Sequence, residues 1–250
     1  GCDVEKTDLK LVNTRTMRES KTSQDVNYFT GLVKMGNFDL RVSVEDNSEK
    51  MMLVDERGKI VTEDMFYALI SIILCKTMKG RTVIAPITAS RVLEEIVSQY
   101  DGKVIRTKSS EQDIMNEFFK AEAKEEMLEQ FTMHFDAIAG LAKILDFMNT
   151  NNYRLSDLVD MIPDLHIKKA VVECPWNAKG KVIRQIIQEN EKNSIETIEG
   201  VKIFKDDGWV LVLPDAEQPV CRIISESYSD EFAEELTNIY SKRIKEISRS

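Results

Sequence analysis

The sequence predicts an α/β protein whose last third is an α+β segment with a four-stranded, largely antiparallel sheet and two helices. Two observations lead to this prediction. Residues 81–107 follow the order strand, helix, strand with short connections, which is the βαβ unit of parallel sheets. After Pro163 the order becomes βαβββα, in which a hairpin and a further strand place neighbouring strands antiparallel.

Composition limits the classes of partner. The 250-residue chain is 42% hydrophobic and 31% charged, which is typical of a folded globular protein. Its net charge of -9 disfavours nucleic acid, because Lys and Arg provide most contacts to a phosphate backbone. The longest apolar run, FYALISIILC at 66–75, is about half the length of a membrane span. We therefore expect no nucleic-acid partner and no membrane partner.

The four cysteines indicate a cellular compartment, and the first residues bear on where the natural chain starts. The cysteines are far apart in the sequence and form no CxxC pair, which favours a reducing, cytoplasmic location. The chain opens with GCDVE rather than methionine, so we expect the natural start to lie upstream or to have been removed.

Residues 1–60 are predicted to be the end of a truncated domain. Tyr28–Met35 has a helical pattern, 39–44 (DLRVSV) and the stretch MMLVDERG have strand patterns, and a polar turn joins those strands. One helix and two or three strands cannot bury both faces of a sheet, so part of this domain should be missing.

Residues 61–165 are predicted to form a compact α/β domain around the βαβ unit. A helix should begin at Thr62 and end at Gly80, and Ser90 should cap the helix of the βαβ unit. Helical patterns also cover 111–130, 136–149 and a short stretch from Ser156 to Pro163.

Residues 166–250 are predicted to form the α+β domain. Its strands should be KKAVVE (168–173), VKIF, WVLVL and CRIISES (221–227). Asn177 should cap the first helix, and Ser229 should cap the last one.

The first candidate site is the stretch EDNSEK, 45–50, which directly follows a predicted strand. Ligands of open α/β sheets collect at the carboxyl ends of strands. Glu45, Asn47 and Glu49 place oxygen ligands at alternating positions, which a hard cation such as Mg²⁺ could accept. Taken alone, such a segment is more often a solvated turn, and that alternative stays open. No GxGxxG or GxxxxGK[ST] motif is present, and neither histidine is assigned a role.

The second candidate site is the loop in GWVLVLPDAEQPVCR, 208–222. A strand runs into a polar loop between Pro214 and Pro219, and Arg222 follows. A loop of this kind with a basic residue could hold an anion. However, it carries Asp215 and Glu217 and has no glycine, serine or threonine, so ordinary phosphate binding is not expected.

Together the two loops resemble those of the α-D-phosphohexomutases, the phosphomannomutases and phosphoglucomutases. That family's metal loop reads DGDxDR and is followed by a strand and VDE-x-G. Without a gap, Val54–Glu56 and Gly58 match, the three metal aspartates fall on Glu45, Asn47 and Glu49, and the arginine falls on Lys50. RTKSSEQDI, 106–114, is similar to the family's RTKVGDRYV.

The end of the chain is similar to the family's last domain, where GW-x-x-x-RPSGTEP-x-x-R forms the phosphate loop. The spacing is kept, but five loop residues differ. The residues that replace R, S, G, T and E are Leu213, Asp215, Ala216, Glu217 and Gln218.

The resemblance implies a fold and a set of ligands. The fold would be tandem α/β domains followed by the α+β domain: 1–60 the end of the second domain, 61–165 the third and 166–250 the C-terminal one. Mg²⁺ and a hexose phosphate are implied, with Glu45, Asn47 and Glu49 at the altered metal site. Arg222 and Lys50 would be the remaining phosphate ligands. No catalytic residue is assigned.

Three functions follow as hypotheses. In the first, the chain is a catalytically silent phosphohexomutase-like module, fused to an upstream sugar-1-phosphate nucleotidyltransferase, with a regulatory role or a role in a homo-oligomer. VVECPWNAKGKVIRQI is similar to the bacterial mannose-1-phosphate guanylyltransferase-like chains that carry such a module. In the second, it is the binding half of an active phosphomutase. In the third, it is a scaffold that binds no small molecule.

Overall fold

The computed structural model describes residues 2–4, 38–45, 47–120, 125–164, 166–205 and 207–249. The predicted helix Tyr28–Met35 lies outside these residues. The strands are β1 Leu40–Val44, β2 Met51–Asp55, β3 Ile60–Val61, β4 Thr82–Pro86, β5 Lys103–Thr107, β6 His166–Glu173, β7 Ile195–Glu196, β8 Val201–Lys205, β9 Gly208–Pro214 and β10 Val220–Ser227. The helices are α1 Glu63–Thr77, α2 Val92–Ser98, α3 Glu111–Lys120, α4 Glu125–Phe135, α5 Ala137–Asn151, α6 Leu155–Val159, α7 Trp176–Glu189 and α8 Asp230–Arg249.

The chain divides into two compact units. The first unit contains Gly1–Phe66 and Glu129–Met161, and the second contains Tyr67–Leu128 and Ile162–Ser250. The predicted domain boundaries at 60 and 165 stay a prediction. No helix in the described ranges is both long and apolar enough to cross a bilayer.

The first unit contains a three-stranded antiparallel sheet in the order β1-β2-β3. The predicted strands at 39–44 and in MMLVDERG are confirmed as β1 and β2, and their register pairs Val44 with Met51. Helix α5 begins at Ala137, as the pattern over 136–149 predicts. Asp136 is its N-cap, and the Asp136 carboxylate accepts the Ala139 N–H at 2.9 Å. The first candidate loop, residues 45–50, joins β1 to β2.

The βαβ unit lies in the second unit and is confirmed by the parallel pairing of β4 with β5. Cys75, Val83 and Val97 form the core beneath it. The predicted cap is displaced by one residue: Arg91 is the N-cap, although the Ser90 hydroxyl accepts the Val92 N–H at 3.0 Å. The helical pattern over 111–130 corresponds to α3 and α4 on either side of residues 121–124, which are not described.

The C-terminal sheet has five strands rather than the predicted four, in the order β6-β10-β9-β8-β7. The additional strand, β7, is only two residues long, and two residues are too few to give a period-2 pattern. All strand pairings in this five-stranded sheet are antiparallel. Helix α7 begins at Trp176 after Pro175, so the predicted cap at Asn177 is wrong. Ser229 does cap α8, since its hydroxyl accepts the Phe232 N–H at 3.2 Å.

Both faces of this sheet are buried in its central strands. Val210 and Val212 of β9 pack into a core with α7 and α8. Trp209, Leu211 and Leu213, on the opposite face, pack around Ile87, which follows β4. A strand that is buried on both faces has no polar side, which explains why WVLVL shows no alternation of polar and apolar residues.

Candidate functional site

The first candidate loop, residues 45–50, is a tight hairpin turn. The Glu45 N–H donates to the Lys50 carbonyl at 2.9 Å, and the Ser48 N–H donates to the Glu45 carbonyl at 2.8 Å. Ser48 has a left-handed backbone with φ 58°. Asp46 lies outside the described residues. Residues 47–49 are exposed, and both alternatives that the sequence left open, a cation site and a solvated turn, stay predictions.

The side chains of this loop bond to one another. The Asn47 amide donates to the Glu49 carboxylate at 2.6 Å, and the Asn47 oxygen accepts the Glu49 N–H at 3.2 Å. Across the described ranges, no group of three or more His, Cys, Asp and Glu residues could hold a metal ion. Mg²⁺ requires close octahedral geometry, and one of the described carboxylates, that of Glu49, accepts the Asn47 amide instead. The assignment of Glu45, Asn47 and Glu49 to Mg²⁺ stays a prediction, as does that of Lys50 to a phosphate.

The motif VDE-x-G, which follows this loop, has a structural role in the first unit. The buried Asp55 carboxylate accepts the N–H groups of Arg57 at 3.0 Å and Lys59 at 2.7 Å. Gly58 has φ 87°, which an L side chain rarely adopts. The Glu56 carboxylate bonds to the hydroxyl of Ser156. The matching residues therefore build a turn and fix it to α6.

The second candidate loop, residues 214–219, is called the proline loop. It joins β9 to β10, and the Asp215 N–H donates to the Val220 carbonyl at 3.0 Å. The Asp215 Oδ1 accepts the N–H groups of Glu217 at 2.8 Å and Gln218 at 2.9 Å. Its Oδ2 accepts the Arg222 Nε–H at 2.6 Å. Three donors thus converge on one carboxylate of the chain itself.

These donors stabilise the charged form of Asp215. The backbone N–H of Glu217 is the largest cause that holds the pKa of this carboxyl below its usual value, and Arg222 and the Gln218 N–H act in the same direction. The Asp215 side chain is 11% exposed, whereas that of Arg222 is 49% exposed. Sequence reasoning placed Asp215 and Arg222 at this loop but did not predict that they bond to each other.

A lysine on α7 holds the other side of the proline loop. The Lys179 ammonium donates to the carbonyls of Asp215 and Gln218, both at 2.5 Å. It also lies 3.5 Å from the centroid of the Trp176 ring, which is a favourable cation–π geometry. Sequence reasoning missed Lys179. The only available signal was the i, i+3 spacing of Trp176 and Lys179 on a predicted helix.

A cavity of about 600 Å³ lies elsewhere in the second unit, where β5 ends and α3 begins. Its lining residues are Arg106, Thr107, Lys108, Asp113, Asn116, Glu117, Phe119, Lys120 and Ile198. Arg106 is held by the Glu94 carboxylate, at 2.6 and 2.9 Å, and by three backbone carbonyls. Arg106 therefore has a structural role, and Lys108 is the cation of the RTK motif that remains for a ligand.

Strand β8 of the C-terminal sheet contains a buried lysine. Lys202 is 2% exposed, donates to the Ile87 carbonyl at 3.1 Å and lies 3.6 Å from the centroid of the Trp209 ring. Burial, with a smaller contribution from Arg106, lowers its pKa to about 7. Glu196, Glu226 and Glu94 act in the opposite direction.

This lysine should make the stability depend on pH. The unfolded chain, with a lysine pKa near 10.5, binds the proton more tightly than the folded chain does. The free energy of unfolding should therefore increase as the pH rises above 7, by about 1–2 kcal/mol up to pH 8.5. Above that pH, Cys221, whose pKa burial raises to about 12, contributes with the opposite sign. Urea unfolding between pH 7 and 8.5 should show this slope, and Lys202→Met should remove it. Equal slopes in both proteins would contradict the assignment.

Known proteins resemble this chain in sequence and in fold. No family profile matches the chain. The chain is 25% identical over 233 residues to a phosphoglucosamine mutase of Methanococcus maripaludis, covering 87% of this chain and 51% of that protein. The solved phosphoglucomutase/phosphomannomutase family protein of Burkholderia thailandensis has a TM-score of 0.72 and 14% identity, covering 90% of this chain and 50% of that chain.

The chain resembles the C-terminal part of an α-D-phosphohexomutase. This confirms the resemblance found in the sequence. The chain spans about half the length of the curated relatives that it matches. The N-acetylphosphoglucosamine mutase of Aspergillus fumigatus, solved in complex with GlcNAc-6P and magnesium, has a TM-score of 0.62 and 10% identity, covering 89% of this chain and 53% of that chain. Its likeness supports the phosphohexomutase fold alone.

The two candidate loops lie in different compact units. Glu45, Asn47, Glu49 and Lys50 belong to the first unit, and Arg222 belongs to the second. Within the second unit, the Arg222 Nε–H donates to the Asp215 carboxylate at 2.6 Å, and the Arg222 side chain is 49% exposed. The role of Arg222 as a phosphate ligand stays a prediction.

Proposed function

We propose that this chain is a phosphohexomutase-like module of a sugar-phosphate metabolism protein and is itself catalytically silent. The observation that supports this proposal is the state of the proline loop. The N–H groups of Glu217 and Gln218 and the Arg222 Nε–H donate to the Asp215 carboxylate, and the carbonyls of Asp215 and Gln218 accept from Lys179. A phosphate would have to displace a carboxylate that is held at 2.6–2.9 Å.

The rest of the proposal concerns the whole protein. The module would follow a sugar-1-phosphate nucleotidyltransferase in a cytoplasmic chain, where it would bind a regulatory ligand or hold a homo-oligomer together. Magnesium has no assigned step in this role. Bound at the hairpin loop, the ion would be held by Glu45, Asn47 and Glu49 and would supply a Lewis acid for phosphoryl transfer, but the Glu49 carboxylate there accepts the Asn47 amide.

The test is an assay of phosphomutase activity on the full-length protein. We expect no interconversion of glucose or mannose 1-phosphate and 6-phosphate in the presence of Mg²⁺ and a hexose 1,6-bisphosphate. An active phosphohexomutase assayed in parallel controls for the activator. Turnover by the full-length protein that Arg222→Ala abolishes would overturn the silent module and establish the active mutase instead.

One observation favours the alternative, in which the chain is the binding half of an active mutase. The cavity of about 600 Å³ lies at the RTK motif and keeps Lys108 beside the polar Asn116 and the exposed Phe119. The alternative requires glucose 6-phosphate to bind there and Lys108→Ala to weaken that binding by more than tenfold. Calorimetry on the two proteins distinguishes the cases, with Lys192→Ala, an exposed lysine away from the cavity, as the control.

A further inference from the structure

We propose that Asp215 determines the anion selectivity of the proline loop, because its carboxylate fills a three-donor site that would otherwise accept a small oxyanion. The inference rests on the proposed function and concerns the same loop. It states which single residue excludes phosphate, and it predicts what happens to the loop when that residue is changed.

The arrangement of donors carries the inference. Two backbone N–H groups, at 2.8 and 2.9 Å, bind one oxygen of the carboxylate, and the Arg222 Nε–H binds the other at 2.6 Å. Consecutive backbone N–H groups and a guanidinium are the donors with which proteins hold phosphate and sulfate. The Asp215 carboxylate therefore stands in for an external anion of the same charge type.

The rest of the loop does not depend on that carboxylate alone. The Asp215 N–H donates to the Val220 carbonyl at 3.0 Å, the Val220 N–H donates to the Gln218 carbonyl at 2.8 Å, and Lys179 donates to the carbonyls of Asp215 and Gln218. The donors of Glu217 and Gln218 should therefore keep their positions when the side chain at 215 is shortened. The Arg222 guanidinium is about half exposed, so an ion from solution can reach it.

The charge balance at the loop also favours an anion once the carboxylate is removed. Arg222 and Lys179 then provide two positive charges, and Glu217 is the remaining acidic side chain of the loop. Glu217 is exposed, and its one hydrogen bond among the described residues is donated by its backbone N–H. Its charge is screened by solvent and opposes an anion only weakly.

The test compares two substitutions that both remove the charge. Asp215→Ser shortens the side chain and empties the site, whereas Asp215→Asn keeps an oxygen in the position of Oδ1. We expect inorganic phosphate to bind Asp215→Ser at least tenfold more tightly than the original chain and Asp215→Asn little more tightly than the original. Calorimetry and the amide NMR shifts of Glu217 and Gln218 measure both. Asp207→Ser, which removes an exposed acid from the opposite end of the same sheet, controls for net charge.

Three outcomes would contradict the inference. Equal gains for Asp215→Ser, Asp215→Asn and Asp207→Ser would mean that net charge excludes phosphate, and the inference would be wrong. Binding to a folded Asp215→Ser that Arg222→Gln does not weaken would indicate an adventitious ion only, and would also overturn it. If Asp215→Ser does not fold, the original chain still gives a test: its Arg222 Nε–H signal should not shift in millimolar phosphate, and a shift would contradict the inference. Mutase activity of the full-length protein is a separate readout, so the failure of the proposed function is distinguishable.

Discussion

Gly200→Ala is expected to destabilise the second unit by more than about 3 kcal/mol, enough to unfold a marginally stable domain. Gly200 precedes β8 and has φ 63°. A Cβ there would lie 2.2 Å from the Val212 carbonyl oxygen and 3.0 Å from the Leu213 Cα. Both contacts are backbone atoms of β9, which is paired on both sides and cannot move away. Urea unfolding followed by far-UV circular dichroism measures the loss.

Gly180→Ala is the matched control. Gly180 lies within α7, and the nearest atom to its added Cβ is the Arg184 Nη1 at 3.7 Å, which is ordinary contact. Alanine is favoured over glycine inside a helix by about 0.8–1 kcal/mol, so this change should stabilise the protein. If the two alanine variants changed stability alike, close approach at Gly200 could not be the cause.

Lys179→Met is expected to cost about 2–4 kcal/mol. The substitution keeps a long apolar side chain but leaves the carbonyls of Asp215 and Gln218 without their donor. It also removes the cation–π contact with Trp176. We expect a lower midpoint in urea and large NMR shifts of the amides in the proline loop.

Lys192→Met, at an exposed position just after α7, provides the comparison and should change stability by no more than about 0.5 kcal/mol. A loss at Lys179 no larger than that at Lys192, with the loop amides unshifted, would show that the ammonium does not hold the loop.

The regular elements could be predicted where local patterns are strong. The βαβ unit and the order βαβββα were predictable because apolar periodicity and turn residues mark each element. Strand β7 was not, since Ile195 and Glu196 form a strand only by pairing with β8. The start of α7 was missed because Pro175 at the N-cap position makes no side-chain hydrogen bond.

The candidate sites were predictable in position but not in bonding. The proline loop was identified by its two prolines and Arg222. Whether Arg222 meets a ligand or Asp215 depends on where the loop backbone directs each side chain, which spacing does not determine. Lys179 bonds to Asp215 across 36 residues of sequence. A contact of that kind arises from the packing of α7 on the sheet and leaves no local signal.

The way in which the proline loop is held has a consequence for the evolution of this chain. Asp215 binds the donors that an anion would use, Lys179 binds two carbonyls of the loop, and both side chains stabilise the loop. A mutation at Asp215 that opens the loop to phosphate therefore weakens the fold at the same step. A variant of this kind that binds phosphate should therefore be less stable than the original chain, and a stabilising mutation elsewhere would be needed to restore its free energy of unfolding.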